Sequence, residues 1–273
     1  MDHLTALCQL LTYVFLGLFQ GVTEPLPISS SGHLIILREL FDIRIKGLSF
    51  EILVNFGSLI AVFLVYRNAI VKLMINGLYF IQTKEQNVKR DGRFILLLIV
   101  ATIPTGLIGL ILKDYISQAL SGVRIVGATL LLTGLALWII RNLRGWKNDE
   151  HITIKDAIIV GLAQSVALVP GISRSGATLV AAMLVGMKRE TALRFSFLLY
   201  IPVSLGITVL SVGDMIGADH FSTFMIPYLL AFMAAIIASF YALRWFINIM
   251  KRGNLKYFAI YCFIAGAAVL LSL

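Results

Sequence analysis

The chain alternates between long apolar runs and short polar breaks, and the breaks hold most of the charge. Residues 94–112, 125–140, 195–213, 221–243 and 257–273 contain no Asp, Glu, Lys or Arg. A bilayer core takes about 20 largely apolar residues as one helix, so this pattern predicts an all-α, polytopic membrane protein. Six full spans are expected, at about 49–66, 94–112, 121–140, 191–212, 221–245 and 257–273. Two further apolar runs, about 4–23 and 152–168, each stop at a Pro/Gly/Ser segment. A second short run follows each, at about 30–41 and 174–187. Such interrupted pairs read as broken, re-entrant hairpins. Ile70, Leu73, Met74, Gly77, Leu78 and Ile81 fall at helical spacing, which predicts an interfacial amphipathic helix over 70–81.

The two interrupted segments are copies of one another. Aligned at a constant offset of 144, residues 17–33 and 161–177 share eight identities in seventeen positions: Gly17/Gly161, Leu18/Leu162, Gln20/Gln164, Val22/Val166, Ile28/Ile172, Ser29/Ser173, Ser31/Ser175 and Gly32/Gly176. The chain therefore reads as a single membrane domain over 1–273, duplicated internally, with one repeat at about 1–145 and the other at about 150–273. If each hairpin enters and leaves on one side, each repeat crosses the bilayer three times. An odd number of crossings inverts the second copy relative to the first.

Composition supports the membrane reading, with 59% hydrophobic residues, 14% charged and a mean hydropathy of +0.92. Soluble domains run at about 45–50% apolar and 25% charged. The net charge of +9 resides in loops between apolar runs, so no nucleic-acid partner is expected. In the inverted topology one side collects seventeen Lys and Arg, the other five, with Arg174 between them. The positive-inside rule then places both termini outside. Arg38, Glu39, Asp114 and Asp156 read as solvated helix ends, and Cys8 and Cys262 as buried structural thiols. The first run follows Met-Asp-His and closes without a small-residue cleavage site, so it is not expected to be a signal peptide.

An inverted repeat brings its two breaks together near the midplane, and these breaks carry unusual side chains. The first offers Gln20, Glu24, Ser29, Ser30, Ser31 and His33; the second offers Ser173, Arg174, Ser175 and Thr178. Ionisable groups at membrane depth are costly and mark function. The serine runs sit where each second half-helix begins, and the free N–H groups of a helix start bind anions. With an Arg that forks to phosphate oxygens, the set describes a phosphate pocket within reach of lipid. Singly, most of these residues have duller readings. Ser29 or Ser31 could simply bond helix to helix, His33 could be packing, and Glu24 with Arg174 could be a structural ion pair. Gln20 and Gln164 read as interhelical hydrogen-bonders, and Asn55 as satisfying backbone within a span.

At these residues the sequence resembles the bacterial undecaprenyl-diphosphatases, membrane enzymes linked to bacitracin resistance. The resemblance rests on Gln20-x-x-x-Glu24, Pro27-Ile-Ser-Ser-Ser-Gly-His33 and Pro170-Gly-Ile-Ser-Arg-Ser-Gly-Ala-Thr178. It implies hydrolysis of a polyprenyl diphosphate to the monophosphate and phosphate in the bacterial plasma membrane, recycling the carrier lipid for peptidoglycan synthesis. By similarity Glu24, Ser30, His33 and Arg174 fall on catalytic positions, with Ser29, Ser31, Ser173, Ser175 and Thr178 around the phosphates. Ser30 is the expected nucleophile, with His33 as the alternative, three residues on and expected on the same helical face. One Arg does not neutralise a diphosphate, so a divalent cation, Mg or Ca, is expected, with Glu24 and Gln20 as its candidate ligands. Gln20 stands where the family also uses an acid, which weakens any mechanism needing two carboxylates. Two rivals stay open: a polyprenyl-phosphate transporter or flippase, and an acid-phosphatase-like lipid phosphatase, which Val180 disfavours by occupying the place of a required His. Self-association is also left open.

Overall fold

A computed structural model describes residues 3–41, 49–83, 85–120, 122–216 and 225–272. Among them the first half forms α1 (His3–Thr23), α2 (Ser30–Leu40), α3 (Ser49–Thr83), α4 (Gln86–Ala119) and α5 (Val123–Ile140). The second half forms α6 (Ile154–Val166), α7 (Arg174–Leu184), α8 (Arg189–Ile216), α9 (Met225–Arg252) and α10 (Lys256–Ser272). α3, α4, α5, α8 and α9 are long and apolar enough to cross a membrane, and α10 is a shorter apolar helix of 17 residues. Their outward faces, with Leu110, Ile111, Val209 and Leu210 mostly exposed, are apolar as lipid contact requires.

Three expectations need correction. Residues 70–81 are helical but continue α3 without a break, so α3 runs 35 residues, about 52 Å at 1.5 Å per residue. That exceeds a hydrocarbon core of about 30 Å. Its last turns therefore pair with the start of α4, where Asn76 Nδ2 donates to Asp91 at 2.5 Å. Cys262 is buried as expected, whereas Cys8 is exposed on α1. Asp156 is not a solvated helix end. It is buried, closes the capping box of α6 with Thr153, and pairs with Lys147 Nζ at 2.8 Å. Of the other expected helix ends, Glu39 is exposed and the side chain of Asp114 lies outside the described residues.

Both breaks have the same local causes. Pro25 and Pro27 lack N–H groups and cannot continue α1; in the second copy Pro170 and Gly171, at φ 86°, end the turn after α6. Each following helix is capped by serine: Ser29 Oγ accepts from Gly32 N at 3.2 Å, and Ser173 Oγ accepts from Gly176 N at 3.1 Å. Irregular backbone at membrane depth must find its partners within the protein. The carbonyls of the second break receive Thr129 Oγ1 at 3.0 Å on Pro170 and Thr133 Oγ1 at 3.4 Å on Gly171, both from α5. α10 serves the first break similarly, with Cys262 Sγ at 3.9 Å from the Pro27 carbonyl. The breaks also touch each other: Ser175 Oγ donates to the Leu26 carbonyl at 3.0 Å.

The principal packing pairs repeat when elements of one half are exchanged for their counterparts. α1 packs on α9 as α6 packs on α4; α3 packs on α9 as α8 packs on α4; α3 meets α8, and α5 meets α10. The correspondence reaches single residues. A Cβ on Gly17 would lie 2.2 Å from the Ala231 carbonyl oxygen, and one on Gly161 would lie 2.2 Å from that of Ala101. Small residues allow this approach of helix to helix, which in lipid gives the packing contact its strength. Gly161→Ala is therefore expected to force α6 off α4 and lower thermal stability in detergent by about 1–3 kcal/mol, a typical overpacking cost. Gly106→Ala, whose new Cβ meets nothing within 4 Å, should leave the melting temperature unchanged or slightly raised. Equal melting behaviour of the two variants would contradict this packing.

Candidate active site

The start of α2, the end of α6, the start of α7 and the central helices α3 and α8 enclose a cavity of about 750 Å³, counting its mouth. Gln20, Glu24, Ser29, Ser30, Ser31, Asn55, Ser173 and Arg174 line it. Glu51, Ile52 and Ile207 also line it, so it opens toward the N-terminal end of α3 and the C-terminal end of α8. A smaller chamber of about 390 Å³ lies beyond Glu24 and Arg174, bounded by Ser58, Val62, Gln164, Ser196, Phe197 and Tyr200 among others. Glu24 and Arg174 border both spaces.

Glu24 is the hub. Its Oε2 accepts from Gln20 Nε2 at 2.7 Å and, in a short contact, from Ser30 Oγ. Its Oε1 accepts from Asn55 Nδ2 at 2.9 Å. A hydroxyl hydrogen-bonded to a carboxylate whose orientation is fixed by further donors is the arrangement of an activated serine nucleophile. Asn55 Oδ1 lies 3.1 Å from the Tyr200 hydroxyl and 3.3 Å from Ser204 Oγ. Arg174 Nη1 donates to Ser204 Oγ at 3.1 Å, and its guanidinium carbon sits 5.3 Å from the Tyr200 ring centre. The acid of one repeat and the cation of the other are thus linked through α3 and α8 rather than paired directly.

Three of the five expected phosphate-binding hydroxyls, those of Ser29, Ser31 and Ser173, belong to residues lining the open cavity. Ser175 and Thr178 line the smaller chamber instead, beside Glu24 and Arg174. Ser175 bonds the first break, and Thr178 Oγ1 lies 3.1 Å from the Arg174 carbonyl and 3.3 Å from that of Ser175. The Ser175 hydroxyl is taken up by the facing break and that of Thr178 by the turn that aims Arg174.

His33 departs further from expectation. It lines neither space. Its Nδ1 lies 2.7 Å from the Ser29 carbonyl and its Nε2 lies 2.7 Å from the Tyr261 hydroxyl, with the ring stacked on Tyr261. A carbonyl only accepts, so Nδ1 carries the proton and Nε2 accepts from Tyr261. Three residues along a helix is a rotation of about 300°, which turns His33 some 60° away from Ser30. The imidazole instead holds the Ser29 carbonyl. Ser29 has φ 67°, a left-handed value a serine keeps only when its surroundings enforce it, and this backbone presents Ser30 to Glu24.

Four contributors were not singled out from the sequence. The sequence reads Asn55 as a backbone partner, yet its side chain holds Glu24. Tyr200 and Ser204 sit in an uncharged run of α8, and Glu51 lines the cavity while paired with Arg38 at 2.7 Å. Arg38 is therefore an ion-pair partner at the mouth, not a solvated end. An amide within an apolar span was the available signal for Asn55. Gln164 is the interhelical partner expected, accepting from Thr105 Oγ1 at 3.3 Å. Gln20 instead donates within its own turn to Glu24.

The oxygen-rich donor set suits a hard divalent cation. Glu24 supplies a carboxylate, and Gln20 Oε1 beside it is buried without a hydrogen-bond partner among the described residues. Among the described residues no group of three His, Cys, Asp or Glu side chains could hold a metal ion unaided.

Fold and site together define a polytopic α-helical membrane protein with a serine–carboxylate centre and a facing arginine between two halves. The comparisons give the family. The pattern of the bacitracin resistance protein BacA family matches residues 13–268, and the chain belongs to that family. It is 58% identical over 264 residues to undecaprenyl-diphosphatase 2 of Bacillus thuringiensis (strain Al Hakam), covering 97% of this chain and 98% of that protein. It is 56% identical over 263 residues to the undecaprenyl-diphosphatase of Oceanobacillus iheyensis, covering 96% of each. It is 50% identical over 270 residues to undecaprenyl-diphosphatase 1 of Halalkalibacterium halodurans, covering 99% and 98%.

Proposed function

We propose that this protein hydrolyses undecaprenyl diphosphate to undecaprenyl phosphate and inorganic phosphate. The observation that carries the reading is the contact of Ser30 Oγ with Glu24 Oε2 in a cavity that Arg174 also lines. In the first step Ser30 Oγ attacks the terminal phosphorus and gives its proton to Glu24. The bond from that phosphorus to the bridging oxygen breaks, and the lipid monophosphate leaves with the electron pair. Glu24 passes that proton to the departing lipid phosphate and is a carboxylate again. It then takes a proton from a water that attacks the phosphoserine, and returns this proton to Ser30 Oγ as inorganic phosphate leaves. Arg174 and the N–H groups at the starts of α2 and α7 stabilise the charge that builds on the equatorial oxygens. His33 acts from behind, through the Ser29 carbonyl, rather than as nucleophile. Glu24 and Gln20 are the residues that would hold Mg or Ca, which would supply charge neutralisation for the diphosphate. The family relationship favours this hydrolase over a polyprenyl-phosphate transporter.

The seventeen-to-five split of basic residues supports a cytoplasmic location for the ends of α3, α5 and α9. The broken pairs α1–α2 and α6–α7 then re-enter from opposite sides, both termini lie outside, and the cavity opens outward. Reporter fusions at Trp146 and Asn254 should read cytoplasm; an external signal at either would reverse the orientation. Asp219, the natural site for an outside reporter, lies outside the described residues.

Phosphate release from the diphosphate lipid in detergent tests the chemistry. Glu24→Gln is expected to abolish turnover, whereas Gln20→Ala and His33→Ala should lose less. Arg174→Lys keeps charge but not the planar pair of donors. Losing one charge-assisted hydrogen bond costs about 1.5–3 kcal/mol, so kcat/KM should fall about 10- to 150-fold with the melting temperature intact. Near-normal activity of Glu24→Gln, or of Arg174→Lys, would remove that residue from the mechanism.

A further inference from the structure

Glu24 and Arg174 are opposite charges beside the same two cavities, yet among the described residues they form no ion pair. A directed chain of donors stands between them. Arg174 Nη1 donates to Ser204 Oγ at 3.1 Å, and Ser204 Oγ donates to Asn55 Oδ1 at 3.3 Å. Asn55 Nδ2 then donates to Glu24 Oε1 at 2.9 Å. Every N–H or O–H points from the cation toward the carboxylate, so each bond polarises the next. The Tyr200 hydroxyl, 3.1 Å from both the side-chain and backbone oxygens of Asn55, fixes which way the amide faces. Its ring lies beneath the guanidinium.

We infer that Asn55 is a positioning residue for the hydrolysis, one that holds Glu24 aimed at Ser30 while keeping it from collapsing onto Arg174. This rests on the proposed diphosphatase reaction. The requirement follows from the two steps themselves. The carboxylate must take a proton from Ser30 and later from water, so it has to start ionised. The guanidinium must receive phosphate, so it cannot be consumed by the carboxylate. A direct Glu–Arg pair at membrane depth would satisfy both groups and disable both. An amide separates them because it presents a donor to one and an acceptor to the other, and it neither carries charge nor exchanges protons under these conditions. Aspartate at the same place would remove the donor and add a second anion beside Glu24. Leucine would leave Glu24 Oε1 and the Ser204 hydroxyl without their amide partner, while the Tyr200 hydroxyl keeps the backbone carbonyl of residue 55.

The test is the separate measurement of kcat and KM for phosphate release from undecaprenyl diphosphate, run beside thermal unfolding in detergent. Asn55→Asp removes the donor to Glu24 and is expected to lower kcat about 10- to 100-fold. Asn55→Leu is expected to lower kcat about 10- to 100-fold with a smaller effect on KM. Ser204→Ala removes one hydroxyl only, so it remains informative if the Asn55 variants do not fold. It should raise KM several-fold, because Arg174 loses its tether. Folded Asn55 variants with near-normal kcat, or an unchanged KM in Ser204→Ala, would overturn the positioning role while leaving the diphosphatase reading standing. A wild-type chain that releases no phosphate would instead overturn that reading, and the positioning role with it.

Discussion

Backbone polar groups at membrane depth have no water to turn to, and an unsatisfied one costs several kcal/mol. This chain breaks two apolar helices, at 24–29 and 167–173, and each break is roofed by protein. Hydroxyls of Thr129 and Thr133 cover one, the thiol of Cys262 reaches the other, and Ser175 stitches the two together. Removing either break would leave the other partly uncovered. The duplicated architecture is what makes a pair of such breaks possible at one place.

The same constraint explains why the chemistry sits between the halves. Helix starts freed by the breaks supply N–H groups, serines cap them, and the turn before each start directs one side chain inward. The halves match in their caps, Ser29 and Ser173, and in the glycines that follow, Gly32 and Gly176. They differ where reaction demands it. Ser30 aligns with Arg174, and Glu24 aligns with Leu168. A symmetric scaffold thus holds an asymmetric site, with serine and carboxylate from one copy and the guanidinium from the other. Close approach of α1 to α9 and α6 to α4, through Gly17 and Gly161, anchors both arms to the opposite half.

Much of this was legible in sequence because it is local or periodic. Charge-free runs give spans, Pro/Gly/Ser clusters give breaks, and an offset of 144 exposes the repeat. What stayed hidden depends on tertiary direction. Asn55, Tyr200 and Ser204 lie in ordinary apolar helices and acquire meaning only because α3 and α8 cross beside Glu24 and Arg174. His33 has the spacing of a catalytic partner, but a 60° rotation and the Tyr261 hydroxyl turn it outward. Ser175 and Thr178 belong to a phosphate-like motif and yet hold backbone. The extension of α3 past residue 66 was hidden for another reason: amphipathic periodicity cannot distinguish a new helix from the end of an old one.

The central claim is that the two breaks meet and build one site from both halves. A Cβ placed on Gly176 would lie 3.4 Å from the Pro27 Cβ, close to the separation of about 3.5–4.5 Å across a disulfide. The direct measurement is oxidation of a Pro27→Cys, Gly176→Cys chain in which Cys8 and Cys262 are serine, followed by mass spectrometry of its peptides without reductant. The account predicts an intramolecular link between the peptides carrying residues 27 and 176, formed in the membrane at low protein density. Absence of that link, or crosslinks only between separate chains, would contradict it.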